Sequence, residues 1–480
     1  MRVGERIDLL RVRRFTTRCT LLFLIGAVAA CHRPQVASVL TPAPRRVVLR
    51  HVAVLDVAAG ERITDRDVLV EDEQIRAVVK SGALPPLRDA QEIDGAGATL
   101  LPGLIDLHAH TGINPAPPSL NAFPDPAANL AAYLYCGVTT VVDLGGLAPD
   151  VIERRDRVAA GKLLGPTLYV AGPVLTVRGG HPVHVLQMML PFWLRWYAIP
   201  RYVVQVDDAP QAAAAAERIA DMHVDFLKVI VDRIPREAPR LDTQELTAAV
   251  TAARGRGLRA LAHIGTTQDA IDAAQAGVAA WAHVVYRERI ADEQIATLAA
   301  FKIPMVPTIV GFEALASAGQ KGRQATRLER ETVPSAVLAA FDEPARDPEA
   351  AAFAEDSARF LQTQRQNWRD NVRRLHAAGV VMLAGSDMQT GVFPGAGLHR
   401  ELGYLKEAGL SEIEVIRAAT IDAARFLEAK DDPDFGIVAP GKRADLLLVD
   451  GNPLDDLGNL DHIRAVMVRG MPVERVALTN

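Results

Sequence analysis

Two histidines separated by one residue, His108 and His110, end an apolar run that begins at Thr99. Alternate residues of a β-strand project from the same face, so both imidazoles could reach one metal ion. Neutral imidazole is a common ligand of zinc and similar divalent ions. A motif this short also occurs by chance, as two solvated or hydrogen-bonded histidines at a strand end. Further residues of the chain are needed to distinguish the two interpretations.

Four further side chains of ligand type lie in or at the end of apolar runs. They are Lys228 within 225–231, His263 at the end of 258–263, His283 at the end of 278–283 and Asp387 at the end of 380–387. A lysine in an apolar run is costly unless another group uses it. His263 or His283 alone would more often be an ordinary histidine, and Asp387 alone could cap a helix. Together they predict one shared site, because the histidines and Asp387 all fall at the ends of predicted strands.

The elements that would position these side chains are eight apolar strands separated by alanine-rich helical stretches. The predicted strands are 100–108, 138–143, 167–171, 225–231, 258–263, 278–283, 304–309 and 380–387. This α/β alternation is typical of a parallel sheet, and eight strands are the number in a (β/α)8 TIM-like barrel, whose functional residues lie at the C-terminal strand ends. The structural alternative is a doubly wound open sheet. It lacks support because no Gly-X-Gly-X-X-Gly turn follows an early strand.

The composition is that of a globular enzyme with β-rich segments on both sides of the barrel. Hydrophobic residues make up 49% and charged residues 23% of the 480 positions. A net charge of −5 without a dominant Lys/Arg block excludes a nucleic-acid partner. The predicted segments are a signal peptide (1–30), a tether (31–45), the barrel (98–435), and a small β-sandwich domain built from both chain ends (46–97 and 436–480).

The N-terminus has the pattern of an export signal. Four arginines between positions 11 and 18 precede an apolar run from Thr20 to Ala30, and Cys31 follows. The small residues before Cys31 resemble a bacterial lipobox, which implies a lipidated Cys31. Ordinary signal cleavage or an uncleaved anchor is the alternative. We therefore expect a periplasm-facing lipoprotein of the bacterial cell envelope, or a secreted protein, with membrane contact through the lipid anchor only.

A long connection after the third strand contains an aromatic insertion, residues 188–200. Its Trp193, Trp196 and Tyr197 could line a substrate pocket, cover the barrel mouth or lie in a membrane interface. A helix packed on the flank of the barrel is equally compatible with the sequence.

From about Val52 to Arg469 the sequence resembles the metal-dependent amidohydrolase superfamily. The resemblance is closest to the imidazolonepropionase-like and Xaa-Pro dipeptidase-like branch. The matching stretches are Leu101–His110, Asp225–Lys228, Ala262–His263, Ala282–His283, Ala384–Asp387, His399–Leu402 and Pro440–Leu446.

The resemblance implies a centre of two divalent metal ions, with zinc the expected metal. The implied ligands are His108, His110 and Asp387 for the more buried ion, His263 and His283 for the more exposed one, and a carboxylated Lys228 bridging both. A metal-bridging hydroxide would attack the amide, and Asp387 would shuttle its proton to the leaving nitrogen. His181 and Tyr286 resemble substrate-binding positions of the dipeptidase-like branch, but each could equally be a rim residue.

The sequence thus predicts a hydrolase of amide bonds in dipeptides or N-acyl amino acids, with a small-molecule substrate and the oligomeric state left open. One alternative is a cyclic amidohydrolase or deaminase that acts on a ring with one metal ion. Another is a non-catalytic binding protein on the same scaffold. The presence of Lys228 favours two ions, and the complete ligand set favours catalysis.

Overall fold

The computed structural model describes residues 45–120 and 122–475 of the chain. The predicted signal peptide, Cys31 and residues 31–44 of the predicted tether lie outside the described residues. Within these two ranges, none of the helices combines the length and the apolar character needed to cross a membrane.

The strands of the described residues belong to three sheets, one of eight, one of six and one of three strands. The strands are β1 (Arg46–Asp56), β2 (Glu61–Glu71), β3 (Gln74–Lys80), β4 (Gln91–Asp94), β5 (Ala98–Pro102), β6 (Leu104–Ala109), β7 (Val138–Asp143), β8 (Thr167–Val170), β9 (Val174–Val177), β10 (Val203–Val206), β11 (Phe226–Ile230), β12 (Arg259–His263), β13 (Ala280–Ala282), β14 (Met305–Val306), β15 (Leu446–Asp450), β16 (Ile463–Val468) and β17 (Met471–Val473).

Helices follow most of the parallel strands. They are α1 (Pro126–Tyr135), α2 (Asp150–Ala159), α3 (Val183–Met189), α4 (Phe192–Tyr202), α5 (Ala209–Ala220), α6 (Thr243–Gly255), α7 (Thr267–Ala276), α8 (Asp292–Ala300), α9 (Ile309–Ala316), α10 (Arg327–Thr332), α11 (Ser335–Ala339), α12 (Pro348–Ala377), α13 (Ala396–Glu407), α14 (Glu412–Ala418) and α15 (Ile421–Glu428), with 3-10 turns at Ala340–Asp342 and Leu457–Asp461.

The eight-stranded sheet combines strands from both ends of the described chain. Its order is β17-β16-β15-β5-β1-β2-β3, and β4 pairs with β1. The sequence predicted a sandwich of two sheets here, whereas the structure has one sheet that folds back on itself. The long strand β1 bends at register shifts around Val52. Backbone hydrogen bonds then join Ile75 of β3 to Gly441 and Lys442, just before β15.

Parallel strands with intervening helices confirm the α/β class. Strands β6-β7-β8 form one parallel sheet and β10-β9-β11-β12-β13-β14 another, rather than one closed eight-stranded ladder. One backbone hydrogen bond, from Asp225 N to Val170 O (2.8 Å), connects the two sheets directly, and Leu107 N of β6 donates to Ala384 O (3.0 Å) in the segment that lies between β6 and β14. The predicted eighth strand, 380–387, is an irregular segment with one bridge at Met382. The short strands β9 and β10 were not predicted.

The predicted strand 100–108 is wrong in its extent, because the run contains two strands that belong to different sheets. Strand β5 pairs with β1 and β15, whereas β6 pairs with β7. Gly103 separates them, and a Cβ atom at this position would lie 2.2 Å from Thr139 Oγ1. Only glycine therefore lets the chain leave the first sheet this close to β7.

Substituting Gly103 tests this close approach. The Gly103→Ala variant should lose about 1–3 kcal/mol of unfolding free energy through overpacking, measured by chemical denaturation. Gly403→Ala in α13 is the matched control, since a Cβ there meets no atom within 4 Å. It should be neutral or stabilise the protein by up to about 1 kcal/mol. Equal effects of the two substitutions would contradict the packing argument.

Candidate metal centre

Five histidine rings form a continuous row at the C-terminal ends of the parallel strands. The centroid distances along the row are 5.5 Å for His110–His108, 4.7 Å for His108–His283, 4.2 Å for His283–His263 and 5.1 Å for His263–His181. His108 lies in β6, His263 ends β12, and His283 follows β13. The fold therefore brings together histidines that are up to 175 residues apart in the sequence.

Asp387 closes one end of this row. Its Oδ1 lies 3.2 Å from His110 Nε2 and 3.4 Å from His108 Nε2. One ligand atom from each of these three residues lies within 4.8 Å of the other two. The backbone holds the carboxylate there, because Asp387 N donates to His108 O at 2.6 Å. Two imidazoles and a carboxylate in this arrangement could bind one divalent ion.

Hydrogen bonds fix which nitrogen of two rings is free to bind a metal. His110 Nδ1 lies 3.0 Å from Gly145 O, which can only accept, so Nδ1 carries the proton. Thr308 Oγ1 donates to Pro307 O (2.8 Å) and therefore accepts from His283 Nδ1 (2.7 Å). In both rings the Nε2 lone pair is left for a ligand bond, as in histidines oriented by an outer partner.

Lys228 lies inside the cluster. Its side chain is 1% exposed, and its Nζ is 3.2 Å from His108 Nε2. Burial lowers the pKa of Lys228 to about 7, although the charge of Asp387 opposes the shift. Burial likewise lowers the pKa values of His108 and His283, so their neutral form is favoured.

Three ring nitrogens of the histidine row are buried and have no hydrogen-bond partner within the described part of the chain. They are His108 Nδ1, His181 Nδ1 and His263 Nε2, the last of which has only a 3.5 Å contact with Asp232 Oδ2. An unpartnered buried polar atom costs about 1–3 kcal/mol, and native structures contain few of them. For His263 Nε2, a metal ion would supply the missing partner. The donor set of the cluster thus fits divalent cations.

Three residues next to the centre have a backbone conformation that is unfavourable for side chains other than glycine. The φ angles of His283, Thr308 and Asp387 are +77°, +52° and +51°. Such residues cost about 1–3 kcal/mol each and cluster at functional sites. In these conformations the backbone directs all three side chains into the same cluster.

Asp106 holds two ligand-bearing segments together and was missed from the sequence. Its carboxylate accepts hydrogen bonds from His108 N (3.1 Å), Ser386 N (2.9 Å) and Ser386 Oγ (2.5 Å). Burial raises the pKa of Asp106 to about 6. One signal was present in the sequence, because positions 106, 108 and 110 alternate on the same strand face.

A second carboxylate, Asp232, organises the other end of the histidine row. It accepts from Tyr286 Oη (2.6 Å) and Arg287 Nε (2.7 Å) and lies 3.5 Å from His263 Nε2. Burial raises the pKa of Asp232, but these cationic and hydrogen-bonding neighbours outweigh it and hold the pKa well below its usual range. The sequence analysis also missed this residue.

The two predicted substrate-binding residues lie beside the centre. The hydroxyl group of Tyr286 donates a hydrogen bond to Asp232, and the Tyr286 ring stacks on Phe312 with centroids 4.5 Å apart. His181 packs against His263, and burial lowers its pKa to about 3, so its ring is neutral. Their roles toward a substrate stay predictions.

The helix that contains most of the aromatic insertion also reaches the centre, through a residue just after the insertion that was not singled out from the sequence. Tyr202, the last residue of α4, has its hydroxyl group 3.4 Å from His110 Nδ1. One end of α4 is therefore packed beside a metal-ligand candidate.

Comparison with known proteins identifies relatives along most of the chain. Residues 99–473 match the model of the amidohydrolase family. An uncharacterized protein of Mycobacterium tuberculosis is 24% identical over 385 residues, which are 78% of this chain and 85% of that protein.

Two solved structures have a similar fold. The crystal structure of an amidohydrolase is 27% identical with a TM-score of 0.70, and the match covers 89% of this chain and 98% of that one. A prolidase complexed with N-methylphosphonate-L-proline is 24% identical with a TM-score of 0.71, covering 90% and 100%.

The Asp106→Asn variant tests the link between this carboxylate and the centre. We expect about a 10–100-fold loss of metal affinity in a competitive chelator titration, because the amide nitrogen cannot accept from Ser386 Oγ, and the uncharged amide oxygen binds His108 N and Ser386 N less strongly, which loosens both ligand segments. Asp67→Asn is the matched control, since Asp67 is also buried and accepts backbone hydrogen bonds, but lies in the eight-stranded sheet. Unchanged metal affinity in Asp106→Asn would refute the positioning role.

Proposed function

The chain belongs to the amidohydrolase family, and from that premise we propose that it is a metal-dependent hydrolase of amide bonds in dipeptides or N-acyl amino acids. The observation that carries the proposal is the buried Lys228 amine, 3.2 Å from His108 Nε2 in a cluster that also contains Asp387. Such a group is unfavourable for an inert core but suited to a carbamate that binds cations.

The proposed centre holds two divalent ions, with zinc the expected metal. The ligands would be His108, His110 and Asp387 for one ion, His263 and His283 for the other, and carboxylated Lys228 for both. When bound, the ions would activate a water molecule as a nucleophile at neutral pH and polarise the scissile carbonyl. Four imidazoles and two anionic groups would make up this donor set, which suits zinc and similar divalent ions.

Asp387 is the proposed proton shuttle. Its carboxylate would accept a proton from the attacking water and deliver it to the leaving nitrogen. Gln389 Nε2 donates to Asp387 Oδ2 at 3.1 Å, and the Asp387 backbone is tied to His108 O. These contacts hold the carboxylate in one orientation, which reduces the reorganisation needed during proton transfer.

His181 and Tyr286 are the proposed substrate contacts. Both lie next to His263, on the side of the cluster opposite His110. A dipeptide or N-acyl amino acid presents a carbonyl and a carboxylate, which could accept a hydrogen bond from an N–H of the neutral His181 ring, whereas Tyr286 would contact the substrate without donating, because its hydroxyl proton is already donated to Asp232. The similarity to a prolidase supports Xaa-Pro dipeptides as the first substrates to examine.

Three further assignments accompany this proposal. We propose that the two parallel sheets close into a TIM-like barrel, as the similarity to amidohydrolases implies. We propose that segments 46–97 and 436–480 form a separate β domain beside it. We also propose that the protein is exported and anchored by a lipidated Cys31.

One observation favours the alternative of a single ion and a ring substrate. Among the residues that the structure describes, the only group of three with its ligand atoms within 4.8 Å of one another is His108, His110 and Asp387. Metal analysis of the purified chain separates the two candidates. About two ions per chain support the amide hydrolase with a bridging carbamate, and about one supports the alternative.

The Asp387→Asn variant tests the proton shuttle. The purified chain would be assayed with added Zn²⁺ against libraries of Xaa-Pro dipeptides and N-acyl amino acids. On any substrate that is cleaved, Asp387→Asn should lower kcat by about 10²–10⁴-fold. Asp89→Asn, at an exposed position in the eight-stranded-sheet region, should leave kcat unchanged. Wild-type turnover by Asp387→Asn would exclude the mechanism.

Two substitutions at Lys228 test the carbamate. Lys228→Ala should lose metal and activity, and added formate or propionate should partly restore both by placing a carboxylate in the vacated space. Lys228→Met fills that space and should not respond to either acid. Full metal content in Lys228→Met would show that Lys228 is not a ligand.

A further inference from the structure

The exposed large apolar side chains of the described residues are concentrated in one short segment. Seven such side chains are exposed, and four of them lie within eight residues of α3 and α4. These four form the 189–196 patch: Met189 (63% exposed), Phe192 (80%), Trp193 (60%) and Trp196 (75%). The other two tryptophans of the chain, Trp281 and Trp368, are fully buried. Clustered exposure of this kind marks an interaction surface.

The orientation of α4 is the reverse of that of an ordinary surface helix. Its buried residues are the small or medium-sized Ala198 and Ile199, whereas Phe192, Trp193 and Trp196 face outward. Soluble proteins normally bury the larger apolar face.

The helices that carry the patch are fixed to the rest of the protein. Tyr202 Oη lies 3.4 Å from His110 Nδ1, and Ala148 N donates to Arg201 O at 3.0 Å. On α3, the ring of His184 packs against Phe353 with centroids 5.8 Å apart. The patch is thus presented on an ordered support.

The charge of the segment that carries the patch is complementary to an anionic surface. Residues 183–202 contain two arginines and no aspartate or glutamate, in a chain with a net charge of −5. Arg201 stacks on Tyr197 at 4.0 Å, and Arg195 Nε donates to Leu190 O. Tryptophan and phenylalanine flanked by arginine are typical of helices that lie in a membrane interface.

The N-terminal sequence also favours a membrane over a protein partner. The described part of the chain begins at Arg45, fourteen residues after Cys31. Fourteen residues span at most about 50 Å. An acyl anchor at Cys31, or an uncleaved apolar segment before it, would therefore keep the described part of the chain near a bilayer.

We propose that the 189–196 patch docks on a lipid bilayer that contains anionic headgroups. Trp193 and Trp196 insert at the boundary between headgroups and acyl chains, and Arg195 and Arg201 contact phosphate groups. Helix α4 spans about 15 Å from the patch to Tyr202 beside the metal centre. Docking therefore turns the site-bearing side of the protein toward the membrane, as a second contact besides the lipid anchor.

Tryptophan quenching by lipid tests the proposal directly. The full chain carrying Cys31→Ser, which cannot be acylated, would be mixed with phosphatidylcholine–phosphatidylglycerol vesicles whose acyl chains are brominated. Bromine quenches the fluorescence only of tryptophans that reach the acyl region. Trp281 and Trp368 are fully buried in the protein and cannot reach it. We expect the fluorescence of the Cys31→Ser parent to be quenched. The Trp193→Phe/Trp196→Phe variant should still float with the vesicles but should show no quenching. Flotation without quenching in the parent would overturn the proposal.

A matched pair of triple variants isolates the patch from other apolar surface. Phe192→Ser/Trp193→Ser/Trp196→Ser should reduce vesicle binding by about tenfold or more. Phe123→Ser/Met222→Ser/Val381→Ser removes three exposed apolar side chains elsewhere and should leave binding unchanged. Equal binding of both variants would refute docking through the patch. A change of oligomeric state in the first variant alone, measured by light scattering, would assign the patch to a second copy of the chain instead.

Neither measurement depends on hydrolysis, so the docking proposal and the proposed activity can fail separately. Thermal unfolding of the first variant, compared with that of the parent chain, serves as the check on folding. If that variant loses turnover in solution while its thermal unfolding is unchanged, the patch contributes to substrate binding and the docking proposal is overturned.

Discussion

The burial of Lys228 among metal-ligand side chains is the constraint on which the rest of the structure depends. An ammonium group at this position would lose its hydration and would face His108 Nε2 at 3.2 Å, with Asp387 as the opposing charge. His263 Nε2 also has no hydrogen-bond partner within the described residues. A carbamate with divalent ions would satisfy both requirements at once. This burial pattern supports the proposal that the cluster is a metal site.

The residues around this cluster hold it in place, although their own conformations and burial are unfavourable in free energy. Three residues hold left-handed backbone conformations, and two carboxylates, Asp106 and Asp232, are buried where ordinary packing would place apolar groups. Asp106 joins β6 to the segment that carries Asp387, so it couples two ligands that are far apart in sequence. Gly385 lets this segment approach, since a Cβ there would lie 2.8 Å from His108 N. These features hold the site in place before any ligand binds.

The ligand candidates could be predicted from the sequence because each marks the end or interior of an apolar run. Strand periodicity and the position of His108, His263 and His283 were sufficient to expect one cluster. The eighth run, 380–387, was harder, because its backbone bonds alternately to β14 and β6 instead of forming a ladder. The boundary between two sheets at Gly103 could not be predicted, because it lies inside one continuous apolar run. Asp106 and Asp232 were missed because a carboxylate that orients a ligand has no spacing rule of its own.

The two ends of the histidine row have different surroundings, and they would therefore act differently on a bound substrate. At the His263 end, Asp232 ties Tyr286 and Arg287 into a buried polar network that resists movement. At the His110 end, the neighbouring hydroxyl group comes from Tyr202, on a helix whose far end is exposed and aromatic. The buried polar network at the His263 end can fix the orientation of a substrate, whereas α4 joins the His110 end to the exposed 189–196 patch. Under the docking proposal, α4 would therefore be the element that connects the membrane surface to His110.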